Sequence, residues 1–274
     1  MKKLFRIELC KILNYTSFRV ILGLHLALFS LVIIITSQID ISVPGFKMRN
    51  LFQFPYVWES FSWIASWFNL LLAILVIVLV GNEFSFNTFR QHVINGLSRN
   101  DLFLGKGIVI LLIAVYGFLL VLLSSLIFGF IFSKDISFSI VFKNSYLLIV
   151  YFIQAIAYMT MGLFLAILLK NSALSIVIFI LYFTLIEPII RSFFSQGVRQ
   201  FFPVRIISNL TPVPEFLTIT SGNKFSFGDG SSLDFEAIGI LPEKLPLFTT
   251  VFIAVSYIAL FAFVAILIMN KRNL

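Results

Sequence analysis

The chain has one cysteine, Cys10, so it can build neither an internal disulfide nor a multi-cysteine metal site. Packing is the role expected of that thiol. Charge is equally scarce: 12% of the 274 residues are charged, about half of what a globular domain carries. There is no His-Glu-x-x-His zinc motif, since His92 is followed by Val93-Ile94-Asn95-Gly96. A phosphate-binding loop is missing as well. Gly105-Lys106 has its final dipeptide, but position 100 is Asn and Gly107 replaces the Ser/Thr. The sequence therefore offers no catalytic residues, no metal ligands and no nucleotide site.

What it has is apolar length. Hydrophobic residues make up 60% of the chain, in runs long enough to cross a hydrocarbon core of about 30 Å. Barrel strands alternate polar and apolar residues in short segments, so these runs exclude a β-barrel. The fold expected is an all-α polytopic membrane protein in one domain, residues 1–274. Six spans are expected at about 19–37, 61–81, 107–133, 146–169, 173–190 and 247–269. Residues 2–14 read as an interfacial helix with Phe5, Leu9, Ile12 and Leu13 on one arc, and with Lys2, Lys3, Arg6 and Lys11 suited to anionic lipid headgroups. Residues 20–37 are longer than a usual signal-peptide core, and no small-residue cleavage site follows them. The segment is expected to be retained.

The net charge of +8 would suggest nucleic acid in a soluble protein. Here it falls where the positive-inside rule puts it. With both termini cytoplasmic, eleven Lys and Arg face inward against Glu8, Glu83 and Asp101. The other face is balanced. Residues 38–60, with Phe52, Phe54, Tyr56 and Trp58, and with Trp63 and Trp67 close behind, fit an interfacial aromatic belt. Residues 134–145 form a short connection. The outer segment 191–246 starts with an interfacial or re-entrant stretch (RSFFSQGVRQFFPVRIISNLTPVPEF) and continues into a polar, turn-rich one (SGNKFSFGDGSSLDFE).

The substantial polar segment on the cytoplasmic side of the central spans is 82–106, NEFSFNTFRQHVINGLSRNDLFLGK. Thr88-Phe89-Arg90-Gln91 fits a capping box, in which the Thr hydroxyl takes an orphan backbone N–H and Gln91 reaches back. A short helix then runs to Asn95 and stops at Gly96, which tolerates a left-handed conformation. Ser98-Arg99-Asn100-Asp101 repeats the capping pattern and starts the third span. The stub 88–96 thus lies between two helix breaks.

The order Glu83, Asn87-Thr88, Phe89-Arg90, Ser98-Arg99, Gly105-Lys106 resembles the coupling region of type-2 ABC exporter permeases, although the Pro that often precedes Ser-Arg is Leu97 here. Six spans, an N-terminal interfacial helix and a large segment before the last span extend the resemblance to the whole chain. It implies a permease dimer, of two copies or of close paralogues, in a bacterial inner membrane. Two ABC ATPase subunits would bind ATP and Mg and receive the 88–96 helix in a groove. Glu83, Asn87, Thr88, Phe89, Arg90, Gln91, Gly96, Ser98 and Arg99 are then the coupling residues. No nucleic-acid partner is implied.

Within the spans, His25, Asn69, Gln154 and Tyr158 are the polar groups that could line a substrate path. Ser66 and Met161 lie near them in sequence register. Such groups also cross-link helices, because lipid gives them no partner. Fixed charge is absent from mid-span, which disfavours an ion-coupled carrier. Glu187-Pro188 is expected to end or kink the fifth span. A membrane scaffold that transmits force is the other alternative. An amphiphilic cargo fits spans that lack fixed charge and a chain that holds 34 Phe.

Overall fold

A computed structural model describes residues 2–39, 42–43, 46–134, 136–214, 224–226, 232–234 and 245–271. The architecture is helical, as the apolar runs require. The two strand pairs are short and antiparallel, Ser42–Val43 with Phe46–Lys47 and Lys224–Ser226 with Ser232–Asp234. Most of the polar stretch 221–236 otherwise lies outside the described residues.

Helix α1 (Lys2–Asn14) leads into α2 (Thr16–Gln38). Its expected apolar arc is split, with Ile12 buried and Leu9 packed against the core. Phe5 and Leu13 are exposed, whereas Leu4, Glu8 and Ile12 form the buried stripe. The reason is electrostatic: Glu8 has ion-pair partners inside the bundle, and its i, i+4, i+8 neighbours turn inward with it. Cys10, expected to pack, is exposed.

A single-turn 3-10 helix (Met48–Phe52) precedes α3 (Tyr56–Trp67), and α4 (Asn69–Ser85) follows after a bend of 42° at Phe68. The expected second span is therefore broken in two. Phe52, Phe54 and Trp58 do not form a surface belt; they are buried, with Phe52 packed on Phe61 and Phe132 and the Trp58 indole donating to the Val141 carbonyl at 2.6 Å. Tyr56 and Trp67 remain exposed. After the stub α5 (Thr88–Ile94), helix α6 (Arg99–Phe132) is continuous. It starts two turns before the apolar run, so its first residues extend past a bilayer core.

The connection expected at 134–145 carries one further short helix, α7 (Phe138–Phe142), before α8 (Leu147–Leu169). The expected fifth span holds α9 (Ser172–Leu181), a π-helical turn (Tyr182–Ile186) and α10 (Glu187–Ser192). Glu187-Pro188 does not end it. The π-turn directly precedes the pair, with the Glu187 N–H donating to the Tyr182 carbonyl, and the helix runs on to Ser192. Among the described residues, two short helices, α11 (Gln196–Arg199) and α12 (Pro203–Ser208), precede α13 (Leu247–Lys271).

Among the described residues, five helices are long and apolar enough to cross a membrane, or six when the bent pair α3–α4 counts as one span. The span containing α8 is the central one, with 67% of its apolar window buried, against 17%, 17% and 11% for those of α2, α9–α10 and α13. The outer helices leave apolar faces outward, as lipid contact demands. Close approach at the centre depends on small residues. A Cβ at Gly162 of α8 would stand 3.0 Å from the Ala73 carbonyl of α4, and one at Gly81 would meet the Ser172 backbone at 2.8 Å.

Candidate functional site

Where α1, α4, the stub and α6 meet, four charged side chains converge. Lys106 of α6 is 4% exposed and donates to Glu8 of α1 at 2.7 Å and to Glu83 of α4 at 2.6 Å. Lys11 of α1 also pairs with Glu83. Two ammonium groups thus neutralise two carboxylates, the condition under which burial of charge is tolerable. Gly105 makes room for the contact, because a Cβ there would lie 3.2 Å from Glu8 Cγ. A cavity of about 10 Å³, room for a single water, is lined by Glu8, Lys11, Tyr15, Glu83 and Lys106 together with apolar side chains.

The stub is fastened to this cluster. Phe89 is 1% exposed, packs on Phe84 at 4.6 Å between centroids, and sits over the Lys106 ammonium at 5.8 Å. Thr88 is not the first residue of a capping box. Asn87 is the N-cap, at φ 54°, without a side-chain cap bond, and the Thr88 hydroxyl donates to the Glu83 carbonyl at 3.1 Å. Asn87 satisfies the sharp turn by adopting the left-handed conformation, which frees Thr88 to bond backward. The other end behaves as expected. Leu97 N–H bonds the His92 carbonyl and Gly96 N–H the Val93 carbonyl, both at 3.0 Å, with Gly96 at φ 90°. These are the two bonds of a Schellman ending. Ser98 and Asp101 form the expected capping box.

The stub's other face is open. Arg90, Gln91 and Asn95 are exposed, as are two large apolar residues, Phe86 at 65% and Ile94 at 74%. Arg99 turns elsewhere: its guanidinium donates to the Met269 and Asn270 carbonyls at 3.0 and 2.7 Å, closing the C-terminal end of α13. His92 is partly covered. Burial, then the nearby Lys11 charge, holds its pKa below the ordinary histidine value, opposed by Glu83 and Glu8.

Of the four groups expected along a substrate path, the structure joins Asn69 and Gln154. Asn69 donates to Gln154 at 3.3 Å, with both side chains fully buried. Tyr158 instead stacks on Phe183 at 4.9 Å. His25 is fully buried between Phe68 and Tyr116, and neither ring nitrogen has a hydrogen-bond partner among the described residues. Ser66 bonds its own helix at the Trp63 carbonyl, and no group of three or more metal-ligating side chains occurs among the described residues.

Three of the four cluster residues, Glu8, Lys11 and Lys106, were not candidate site residues on sequence grounds. A signal did exist. Glu83 ends one apolar run, Lys106 begins the next, and Glu8 interrupts the i, i+4 stripe of Leu4 and Ile12. No family model matches the chain, and no curated protein matches it.

Proposed function

We propose that this protein is the membrane-spanning permease subunit of an ATP-driven ABC transporter, and that the stub α5 is its contact with a separate ATPase subunit. The observation that carries this is the two-sidedness of the stub. Its inner face is pinned to a buried ion cluster shared by three helices, through Phe89 over Lys106 and Thr88 on Glu83. Its outer face offers Phe86, Arg90, Gln91 and Ile94 to a partner. A force applied there reaches α1, α4 and α6 together. An isolated capped loop has no need of such an anchorage.

ATP-driven closure of the partner would press on the stub and tilt α4 and α6, switching a permease dimer between inward and outward access. ATP and Mg belong to the partner. The cargo fits an amphiphile in a bacterial inner membrane, because burying an unpaired charge at depth is costly. Some of the phenylalanines support packing instead, as the Phe52, Phe61, Phe128 and Phe132 contacts illustrate.

The test is a photo-cross-linking residue placed at Ile94 in intact membranes. The expected adduct joins this chain to a subunit that a photoreactive ATP analogue also labels. A folded, membrane-inserted chain that yields no ATP-labelled adduct would sink the proposal.

A further inference from the structure

Gln154 uses its whole side-chain amide. Its two N–H groups donate to the Ile207 carbonyl at 2.9 Å and the Ser208 carbonyl at 3.3 Å. Its oxygen accepts from Asn69 Nδ2 at 3.3 Å and from Thr211 Oγ1 at 3.2 Å. Two donors and two lone pairs are the full capacity of the group. Three separate pieces of the chain meet on it: α4 at its first residue, α8, and the end of α12.

The partner elements need these bonds. Helix α12 has six residues, far below the length at which a helix sustains itself in water. Its end groups are satisfied from outside. The Glu187 carboxylate accepts from the Val204 and Arg205 N–H groups at 2.8 and 2.9 Å, filling the N-terminal end. Gln154 takes two of the last carbonyls, of which Ile207 also accepts from the Leu210 N–H at 3.5 Å. Val204, Ile206, Ile207 and Leu210 then bury against the bundle. Gln154 lies seven residues into α8, so α12 reaches about 10 Å along that helix.

Location gives the arrangement its meaning. The C-terminal end of α8 is at the stub end of the bundle, since Lys170 sits over Phe84 and Ser172 bonds Asn82. The N-terminal end of α8, with α12, is therefore the opposite one. Asn69 is the first residue of α4, directly after the 42° bend at Phe68, and α4 ends at the stub. A swing of α4 about that bend moves Asn69 on the Gln154 amide.

We propose that α12 is a strap latched to the bundle by Gln154, and that Gln154 is a positioning residue that passes the position of the α3–α4 break to the strap through Asn69. It does not depend on what binds the stub, so it stands or falls apart from the ATPase contact.

The experiment follows thiol labelling of Ile206→Cys, buried in α12, in a Cys10→Ser chain in membrane fragments open on both faces. Ser125→Cys in α6, also fully buried and without a hydrogen bond to lose, reports on the general core. Gln154→Met should label Ile206→Cys about tenfold faster while leaving Ser125→Cys slow. Asn69→Leu should accelerate it too, and the double variant should be no faster than Gln154→Met alone. Unchanged labelling in either single variant overturns the latch or its link to the bend. Additive effects of the two changes overturn the link. Equal acceleration at Ser125→Cys overturns both, since it means general loosening.

Discussion

Lys106 holds Glu8 at 2.7 Å across 98 positions of sequence, and this bond ties the N-terminal helix to the start of α6. The same ammonium holds Glu83. Removing it leaves two buried carboxylates with only Lys11 nearby. Breaking a buried pair from one side costs about 3–5 kcal/mol, so Lys106→Ala should lower the thermal unfolding midpoint of the detergent-solubilised protein strongly. Glu8→Gln removes one charge while Lys106 keeps Glu83, and should cost about 1–3 kcal/mol. Equal midpoints for both variants and the unchanged chain would mean that the cluster bears no structural load.

Gly105 is the sterically critical neighbour. A side chain there would push into Glu8, whose Cγ and Oε1 stand 3.2 and 3.3 Å from an added Cβ. Gly105→Leu should lift α1 away from α6, making a cysteine at the buried Ile12 reactive to a thiol reagent. Trimming the obstruction with Glu8→Ala in the same chain should slow that reaction again. If Gly105→Leu alone leaves Ile12→Cys unreactive, α1 is not seated against that glycine.

Much of the fold was legible because its signals are local. Apolar runs gave the helices, and the Ser98–Asp101 box and the Gly96 ending follow from residues within six positions. The failures share a cause. Leu4 and Glu8 lay off the expected apolar arc of α1 yet are buried beside Ile12, because Glu8 and Lys11 find partners some 70 to 100 residues away. Thr88 had the right spacing for a cap, yet its hydroxyl found the Glu83 carbonyl once Asn87 turned left-handed. Glu187-Pro188 read as an end or a kink of the span, and its spacing gave no sign that the carboxylate accepts from the head of α12. Long-range partners cannot be read from helical spacing.

His92 should make the stub sensitive to acid. Its pKa in the folded chain lies below the ordinary value because of burial and then the Lys11 charge, with Glu83 and Glu8 raising it and Lys106 lowering it. A depressed histidine pKa favours the neutral form when folded. The stability it contributes is complete above the unfolded value near 6.5 and is lost as pH falls from there through the folded value. Amide exchange over residues 88–96, corrected for intrinsic rates, should therefore rise more at pH 5 than at pH 7.5. His92→Gln should remove that difference. An identical acid response in His92→Gln would assign it to another group.

The direction of insertion can be fixed with two cysteines in a Cys10→Ser chain. Ser98 caps α6 beside the stub, and Lys143 follows α7 at the N-terminal end of α8; both are exposed. The positive-inside distribution predicts that Lys143→Cys reacts with a membrane-impermeant maleimide in intact spheroplasts and that Ser98→Cys reacts only after lysis. The reverse pattern would put the stub outside, out of reach of any cytoplasmic ATPase.

Gly96 separates coupling from folding. At φ 90° it closes the stub with the Leu97–His92 and Gly96–Val93 bonds. A β-branched residue is poorly tolerated in this region, and the strain of forcing one is about 1–3 kcal/mol. Nothing lies within 4 Å of an added Cβ, so the penalty is one of backbone conformation and not of collision. Gly96→Val should therefore disorder the stub's ending and displace Ile94, reducing the Ile94 cross-link to an ATP-labelled subunit severalfold. The bundle, whose core lies elsewhere, should unfold at nearly the same temperature. Gly96→Asn should fall between, because Asn enters left-handed conformations more readily. A Gly96→Val chain that cross-links as well as the unchanged one would show that the geometry of this turn does not set the contact.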